Sequence, residues 1–196
     1  MNDLIQVVKI LELDEVEELN SYVDTLELGA CNVFDSETGE MKVSNIRTST
    51  GAELDNLNVV TQKLHSALNR GLDEYKNRIS KICDNFNYYP VPGGYSTKSW
   101  REAIQVLEYQ PSQEYKMHHD EADDRPREEY HRKISIITYL TEGFVGGGTE
   151  FPHITFKPKP GYALIFPSNW CYPHAGEPVT SGTKRVAVTW YYVEQT

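Results

Sequence analysis

The stretch RKISIITYLTEGFVGGGTEFPHITFKPKPGYALIFP, residues 132–167, decides the fold of this chain. Residues 134–140, 154–156 and 162–166 are short runs rich in β-branched and aromatic side chains, which suit a pleated surface. Gly146-Gly147-Gly148 and Lys159-Pro160-Gly161 interrupt them where the chain must turn. Outward from this stretch, 103–109 and 115–118 upstream and 185–193 downstream have the same character, with Pro111-Ser112 and Ser181-Gly182 as further turn signals. Short strands punctuated in this way predict an antiparallel sandwich or barrel, here a jelly roll, or double-stranded β-helix.

Before residue 101 the period changes. Asp14 and Glu17 are spaced for a capping box, and Val16, Leu19, Val23 and Leu26 follow at helical spacing, so a helix is expected over 15–27. Leu57, Val60, Leu64, Leu68, Leu72, Tyr75 and Ile79 draw a longer stripe, predicting a second helix that begins near Ala52 and passes through Gly71. The prolines and glycines of NFNYYPVPGGYSTKSW, 85–100, predict a connection. The expected fold class is mainly β with flanking helices, a jelly roll buttressed by N-terminal α-helices. A single domain is expected over 1–196, with 1–100 a mainly helical support region and 101–196 the jelly-roll core.

Composition excludes several classes of function. A net charge of −10 disfavours gripping nucleic acid through its phosphates, which requires clustered Lys and Arg. Cys31, Cys83 and Cys171 are far apart and never form C-x-x-C, so neither a disulfide framework nor a thiolate zinc site is expected. The N-terminal run lacks a basic region before its apolar residues, and no segment approaches the roughly 20 apolar residues of a membrane span. A cytoplasmic location, with no membrane partner, is the expectation.

The chemistry resides in four side chains. His118 and Asp120 form H-x-D, His174 lies far downstream, and Lys184 follows ten residues later. Two neutral imidazoles and one carboxylate hold a first-row metal on one face and leave other positions open, which is the facial arrangement of non-heme iron oxygenases. Residues two apart on a strand point the same way, so His118 and Asp120 can share a metal while His119 faces outward. Lys184 shares parity with Val186, Val188 and Trp190, which makes it an inward-facing cation unless it snorkels to solvent. An inward ammonium needs an anion, and the far carboxylate of a metal-chelating 2-oxo acid would supply one.

Four ordered blocks, EYQPSQEYKMHHD, RKISIITYL, GGGTEFP and HAGEPVTSGTKRVAVTW, resemble the 2-oxoglutarate and iron(II)-dependent oxygenases, and within them the prolyl 4-hydroxylase branch. The resemblance covers about residues 101–192. It implies a jelly-roll oxygenase domain with Fe(II) on His118, Asp120 and His174, and with Lys184 on the C5 carboxylate of 2-oxoglutarate. It further implies cosubstrate contacts from Tyr109, Tyr139 and Thr149, and substrate contacts from Tyr115, Arg132 and Trp190. Each of these six is otherwise read as packing, strand or surface. The block GGGTEFP has Gly148 where the family usually has glutamate. The implied reaction consumes O2 and 2-oxoglutarate, releases CO2 and succinate, and admits ascorbate as a reductant. A peptide or protein containing proline is the implied partner, and the oligomeric state is left open. Hydroxylation of a free amino acid or other small molecule, and a non-enzymatic cupin-like metal-binding jelly roll, are the alternatives. The charged stretch EADDRPREEYHRK is read as a lid over residues 121–131, or else as a solvated face.

Overall fold

A computed structural model of the chain describes residues 2–35, 40–83, 101–121 and 130–194. The expected connection over 85–100 and most of the expected lid lie outside the described residues. After a short 3-10 turn at Asn2–Leu4 come β1 (Gln6–Lys9), α1 (Leu13–Val23), β2 (Gly29–Ala30), β3 (Asn32–Asp35), β4 (Glu40–Val43), β5 (Thr50–Glu53) and α2 (Val59–Ile79). The second half holds β6 (Gln105–Tyr109), β7 (Tyr115–His118), β8 (Tyr130–Tyr139), β9 (Val145–Gly146), β10 (Thr149–Phe151) and β11 (Ile154–Phe156). It closes with β12 (Tyr162–Pro167), β13 (His174–Gly176), β14 (Val179–Ser181) and β15 (Lys184–Glu194).

These strands make a seven-stranded sheet in the order β1-β12-β8-β15-β6-β5-β2 and a four-stranded sheet in the order β11-β10-β13-β7. All the pairings within the two sheets are antiparallel. The two sheets form the expected jelly roll. The large sheet is apolar on both faces because successive side chains of a strand alternate. On β8, Ile134 and Ile136 join the core shared with the helices, while Tyr139 joins the core between the sheets. On β15, Ala187 and Tyr191 face the helices, whereas Val186, Val188 and Trp190 face inward.

The helices cover the outer face of the large sheet, as their stripes require. Leu64, Leu68, Leu72 and Ile79 of α2 are almost fully buried, each contributing on the order of 2 kcal/mol of hydrophobic stabilisation. At Gly71 a Cβ would come within 2.6 Å of Ile10 Cγ2, so glycine lets the helix lie close to the chain that follows β1.

Several boundaries differ from expectation. α1 begins two residues earlier than a cap at Asp14 would allow and ends at Val23 rather than 27; Glu12 and Glu15 make the capping box, with Glu12 N donating to Glu15 Oε2 at 2.8 Å. α2 does not reach Ala52, which lies in β5; Asn58 caps the helix by accepting from Val60 N at 2.8 Å, and Leu57 is left exposed. Residues 1–100, expected as a mainly helical support region, also supply β1, β2 and β5, which extend the large sheet at both edges. Those strands are four residues or fewer and pair with distant segments, so no local period announces them. Among the described residues no helix is long and apolar enough to cross a membrane.

Candidate active site

The register of the small sheet assembles the cluster. β7 and β13 pair so that His118 stands opposite His174, and Asp120 follows two residues after the end of β7. The candidate ligand atoms of His118, Asp120 and His174 all lie within 4.8 Å of one another. Asp120 Oδ1 is 3.5 Å from His118 Nε2, and Oδ2 is 3.5 Å from His174 Nε2. His119 is exposed, as its opposite parity requires.

Each imidazole is oriented from behind. His118 Nδ1 meets the Lys116 carbonyl at 2.8 Å, and His174 Nδ1 meets the Tyr172 carbonyl at 3.2 Å. A carbonyl can only accept, so both rings carry hydrogen on Nδ1 and turn the Nε2 lone pair into the cluster. Tyr115 stacks on His118 with centroids 3.6 Å apart, and Phe166 packs edge-on against His174. Burial pushes the His174 imidazolium down to about 4, against the pull of Asp120, so this ring is neutral at neutral pH. Burial alone would raise the Asp120 carboxyl, but His174 and His118 beside it hold it well below the usual carboxylate range. Two imidazole nitrogens with an ionised carboxylate are a donor set that suits ferrous iron.

Asp120 is itself held in place. Ser135 Oγ donates to its Oδ2 at 2.6 Å, Ser168 Oγ lies 2.8 Å from Ser135 Oγ, and the Ser168 carbonyl accepts from Asp120 N at 3.1 Å. Fixing Oδ2 leaves Oδ1 to meet a metal. Groups behind a ligand commonly contribute about 10 to 100-fold in metal affinity. Ser135→Ala is therefore expected to weaken manganese(II) binding about ten-fold in a metal titration, with Ser135→Thr retaining most of it. Unchanged affinity in the alanine variant would remove this role.

Lys184 opens β15 opposite Tyr109 of β6 and is 3% exposed. Its ammonium lies 5.0 Å from the Tyr109 ring centroid and 5.3 Å from that of Tyr139, and among the described residues neither a hydrogen bond nor an ion pair reaches it. Burial pushes Lys184 down to about 7, with Glu177 opposing the shift and Lys157 adding to it. Tyr139 OH lies 2.8 Å from Thr149 Oγ1, and both residues are buried. Lys184, Tyr109, Tyr139 and Thr149 thus make one polar end, in which no carboxylate pairs with the ammonium among the described residues. It adjoins the cluster, since a Cβ on Gly176 would lie 3.9 Å from Lys184 Nζ and Gly176 is two residues along β13 from His174.

The remaining expected residues form a wall. The Arg132 guanidinium lies 3.7 Å above the Trp190 ring, and its Nε and Nη2 donate to Glu102 at 2.5 and 2.7 Å. Arg132 is therefore a braced side chain and not a free arm. Burial pushes the Tyr115 phenol up to about 12, reinforced by the Asp120 charge. Sequence reasoning missed Arg47, which is 8% exposed and lies 5.2 Å from the Tyr115 ring. Its Nε donates to Ser49 Oγ at 3.3 Å, while among the described residues its Nη2 meets no acceptor. An arginine in the polar run NIRTST has no period or parity to betray burial; only its bridge to Tyr115 on β7 brings it to the site.

Comparison with known proteins agrees with this geometry. Residues 104–192 match the model of the 2OG-Fe(II) oxygenase superfamily. A putative prolyl 4-hydroxylase of Acanthamoeba polyphaga mimivirus is 40% identical over 127 residues, covering 56% of this chain and 49% of that protein. The probable prolyl 4-hydroxylase 3 of Arabidopsis thaliana is 28% identical over 191 residues, covering 82% and 59% respectively. The chain thus spans about half to three fifths of the length of these curated relatives. Among solved structures, the viral collagen prolyl hydroxylase of Paramecium Bursaria Chlorella virus-1, in a 2OG complex, superposes with a TM-score of 0.67 at 23% identity, covering 97% of this chain and 96% of that one. A Trichoplax adhaerens prolyl hydroxylase in complex with a hypoxia inducible factor peptide fragment gives 0.62 at 20% identity, covering 98% and 84%. At these identities the superpositions speak for the fold.

Proposed function

We propose, from the match of residues 104–192 to the 2OG-Fe(II) oxygenase superfamily model and from the geometry of the site, that the chain is an iron(II)- and 2-oxoglutarate-dependent dioxygenase hydroxylating a prolyl residue in a peptide. The observation that carries this reading is the buried Lys184 ammonium, which no hydrogen bond or ion pair reaches among the described residues and which lies 3.9 Å from where a Cβ on Gly176, two strand residues from His174, would stand. Two residues of strand span roughly 7 Å, about the reach of a five-carbon dicarboxylate chelated at one end. A cupin-like metal-binding protein has no use for such a cation.

His118, Asp120 and His174 would hold the iron, and Lys184 would bind the distal carboxylate, with Tyr109, Tyr139 and Thr149 completing that end. Iron(II) with 2-oxoglutarate and O2 supplies the oxidising power to hydroxylate an unactivated C–H bond, with CO2 and succinate as co-products. The chain's own part is placement. The Nδ1 contacts fix the imidazoles, and Ser135 fixes the carboxylate. The apolar walls from Phe151, Phe166 and Val188 keep water from the inner part of the site. Tyr115, Trp190 and Arg132 would line the substrate, and Arg47 Nη2 offers a buried donor for a peptide carbonyl. Residues 1–196 would act as one oxygenase domain, since strands from both halves share one sheet. A cytoplasmic location fits the three free cysteines.

Prolyl peptides are favoured over free amino acids because of the named relatives and because Arg47 adds a donor beside Tyr115. Succinate release and mass gain are to be measured on proline-containing peptides beside a panel of free amino acids. Hydroxylation of the amino acids alone would replace the peptide reading, and absence of succinate with every substrate would remove the enzyme.

The position of Lys184 sets a pH dependence. The bound anion needs the ammonium, and burial has brought the empty site's lysine down to about 7. Above that pH the site must take up a proton to bind, so 2-oxoglutarate affinity should fall about ten-fold per unit. Calorimetry in two buffers of different ionisation heat should find close to one proton taken up at about pH 8. Zero uptake there would mean that the anion's partner is not Lys184.

A further inference from the structure

Gly148 and Glu177 lie beside the polar end of the site and have no part in the function proposed so far. Gly148 immediately precedes Thr149 on β10, and Glu177 immediately follows β13. They bind each other twice. Glu177 N donates to the Gly148 carbonyl at 2.9 Å, and Gly148 N donates to Glu177 Oε2 at 3.1 Å. The other carboxylate oxygen accepts from Thr155 Oγ1 of β11 at 3.4 Å. One side chain therefore links three neighbouring strands, β13, β10 and β11.

The glycine makes room for this. A Cβ at position 148 would meet Thr155 Cγ2 at 2.5 Å and Glu177 Oε2 at 2.7 Å. Both distances are far inside contact, so any side chain at 148 must displace Glu177, Thr155 or both. The carboxylate of 177 fills the volume into which a residue 148 side chain would project. The same carboxylate is the charge that most opposes the loss of the Lys184 proton.

We propose that Glu177 is a positioning residue for the 2-oxoglutarate end of the site, holding Thr149 in register by seating its carboxylate on Gly148 in the room that the glycine leaves. The proposal rests on the dioxygenase reading above. Glu177 acts through Thr149, whose hydroxyl meets that of Tyr139.

The test is calorimetric titration of 2-oxoglutarate into the manganese(II)-loaded full chain, with manganese(II) affinity measured separately. Loss of a charge-assisted hydrogen bond predicts about ten-fold weaker 2-oxoglutarate binding for Glu177→Ala, with metal affinity unchanged. Glu177→Gln keeps an acceptor for the Gly148 amide and is expected to stay within about three-fold of wild type, so a destabilised alanine variant does not decide the outcome alone. Gly148→Glu should weaken binding by about ten-fold or more, and adding Glu177→Gly to it should restore most of the loss. Wild-type affinity in Glu177→Ala, or a double variant as weak as Gly148→Glu, would overturn the proposal. Loss of binding in Lys184→Ala without loss in Glu177→Ala would remove this proposal and leave the dioxygenase reading. A wild-type chain that does not bind 2-oxoglutarate would remove both.

Discussion

Lys184→Ala is expected to raise the 2-oxoglutarate concentration required for half-maximal turnover by at least about 100-fold while leaving metal affinity nearly intact. Leaving one partner of a buried ion pair without the other typically costs about 3 to 5 kcal/mol, and each 1.4 kcal/mol is a factor of ten. The site makes no alternative provision. Lys184 is 3% exposed, its neighbours are the rings of Tyr109 and Tyr139, and water cannot take the lysine's place beside a desolvated carboxylate without loss. The same burial gives an opposite sign for the empty protein. An ammonium that burial has pushed down to about 7 is bound unfavourably there, so Lys184→Met should raise the thermal midpoint of the cosubstrate-free chain even as it abolishes function. Steady-state kinetics and thermal unfolding check the two halves separately. Pyruvate has no distal carboxylate, and wild-type protein that used it as readily as 2-oxoglutarate would count against the assignment of Lys184.

Asp120→Ala should abolish turnover at micromolar iron and reduce metal affinity by more than the 10 to 100-fold typical of groups behind a ligand. The expectation follows from charge as well as ligand count. Asp120 is the carboxylate shared between His118 and His174, each 3.5 Å away, and without it two neutral rings face a divalent ion in a buried site. The neighbouring His119 provides the internal control. It is exposed on the other side of the strand, so His119→Ala should retain the metal. Metal titration of the three histidine variants with Asp120→Ala settles the ligand set. Retention of full metal affinity by Asp120→Ala, or loss in His119→Ala with retention in His118→Ala, would mean that the strand register is wrong.

The site was legible in the sequence wherever its chemistry coincided with a period. H-x-D at strand spacing, the parity of Lys184 with Val186, Val188 and Trp190, and Tyr139 in register with the inward face of β8 are local facts, and alternation along a strand projects them onto one side. Ser135 shares that parity but has no distinctive chemistry until Asp120 lies 2.6 Å from it. β10 and β13 have three residues each, too few for any alternation to be read, although they carry Thr149 and His174.

By itself the sequence determined the jelly roll, the helices over its outer face and the residue types and parity of His118, Asp120, His174 and Lys184, because side-chain period and residue type are written along the chain. Tertiary structure alone decided that Arg47 enters the site from the first half, that β1, β2 and β5 extend the large sheet, and that Glu177 occupies the space left by Gly148. These depend on pairing between segments remote in sequence. The free energy of such pairing comes from hydrogen bonds and contacts that neither segment displays alone.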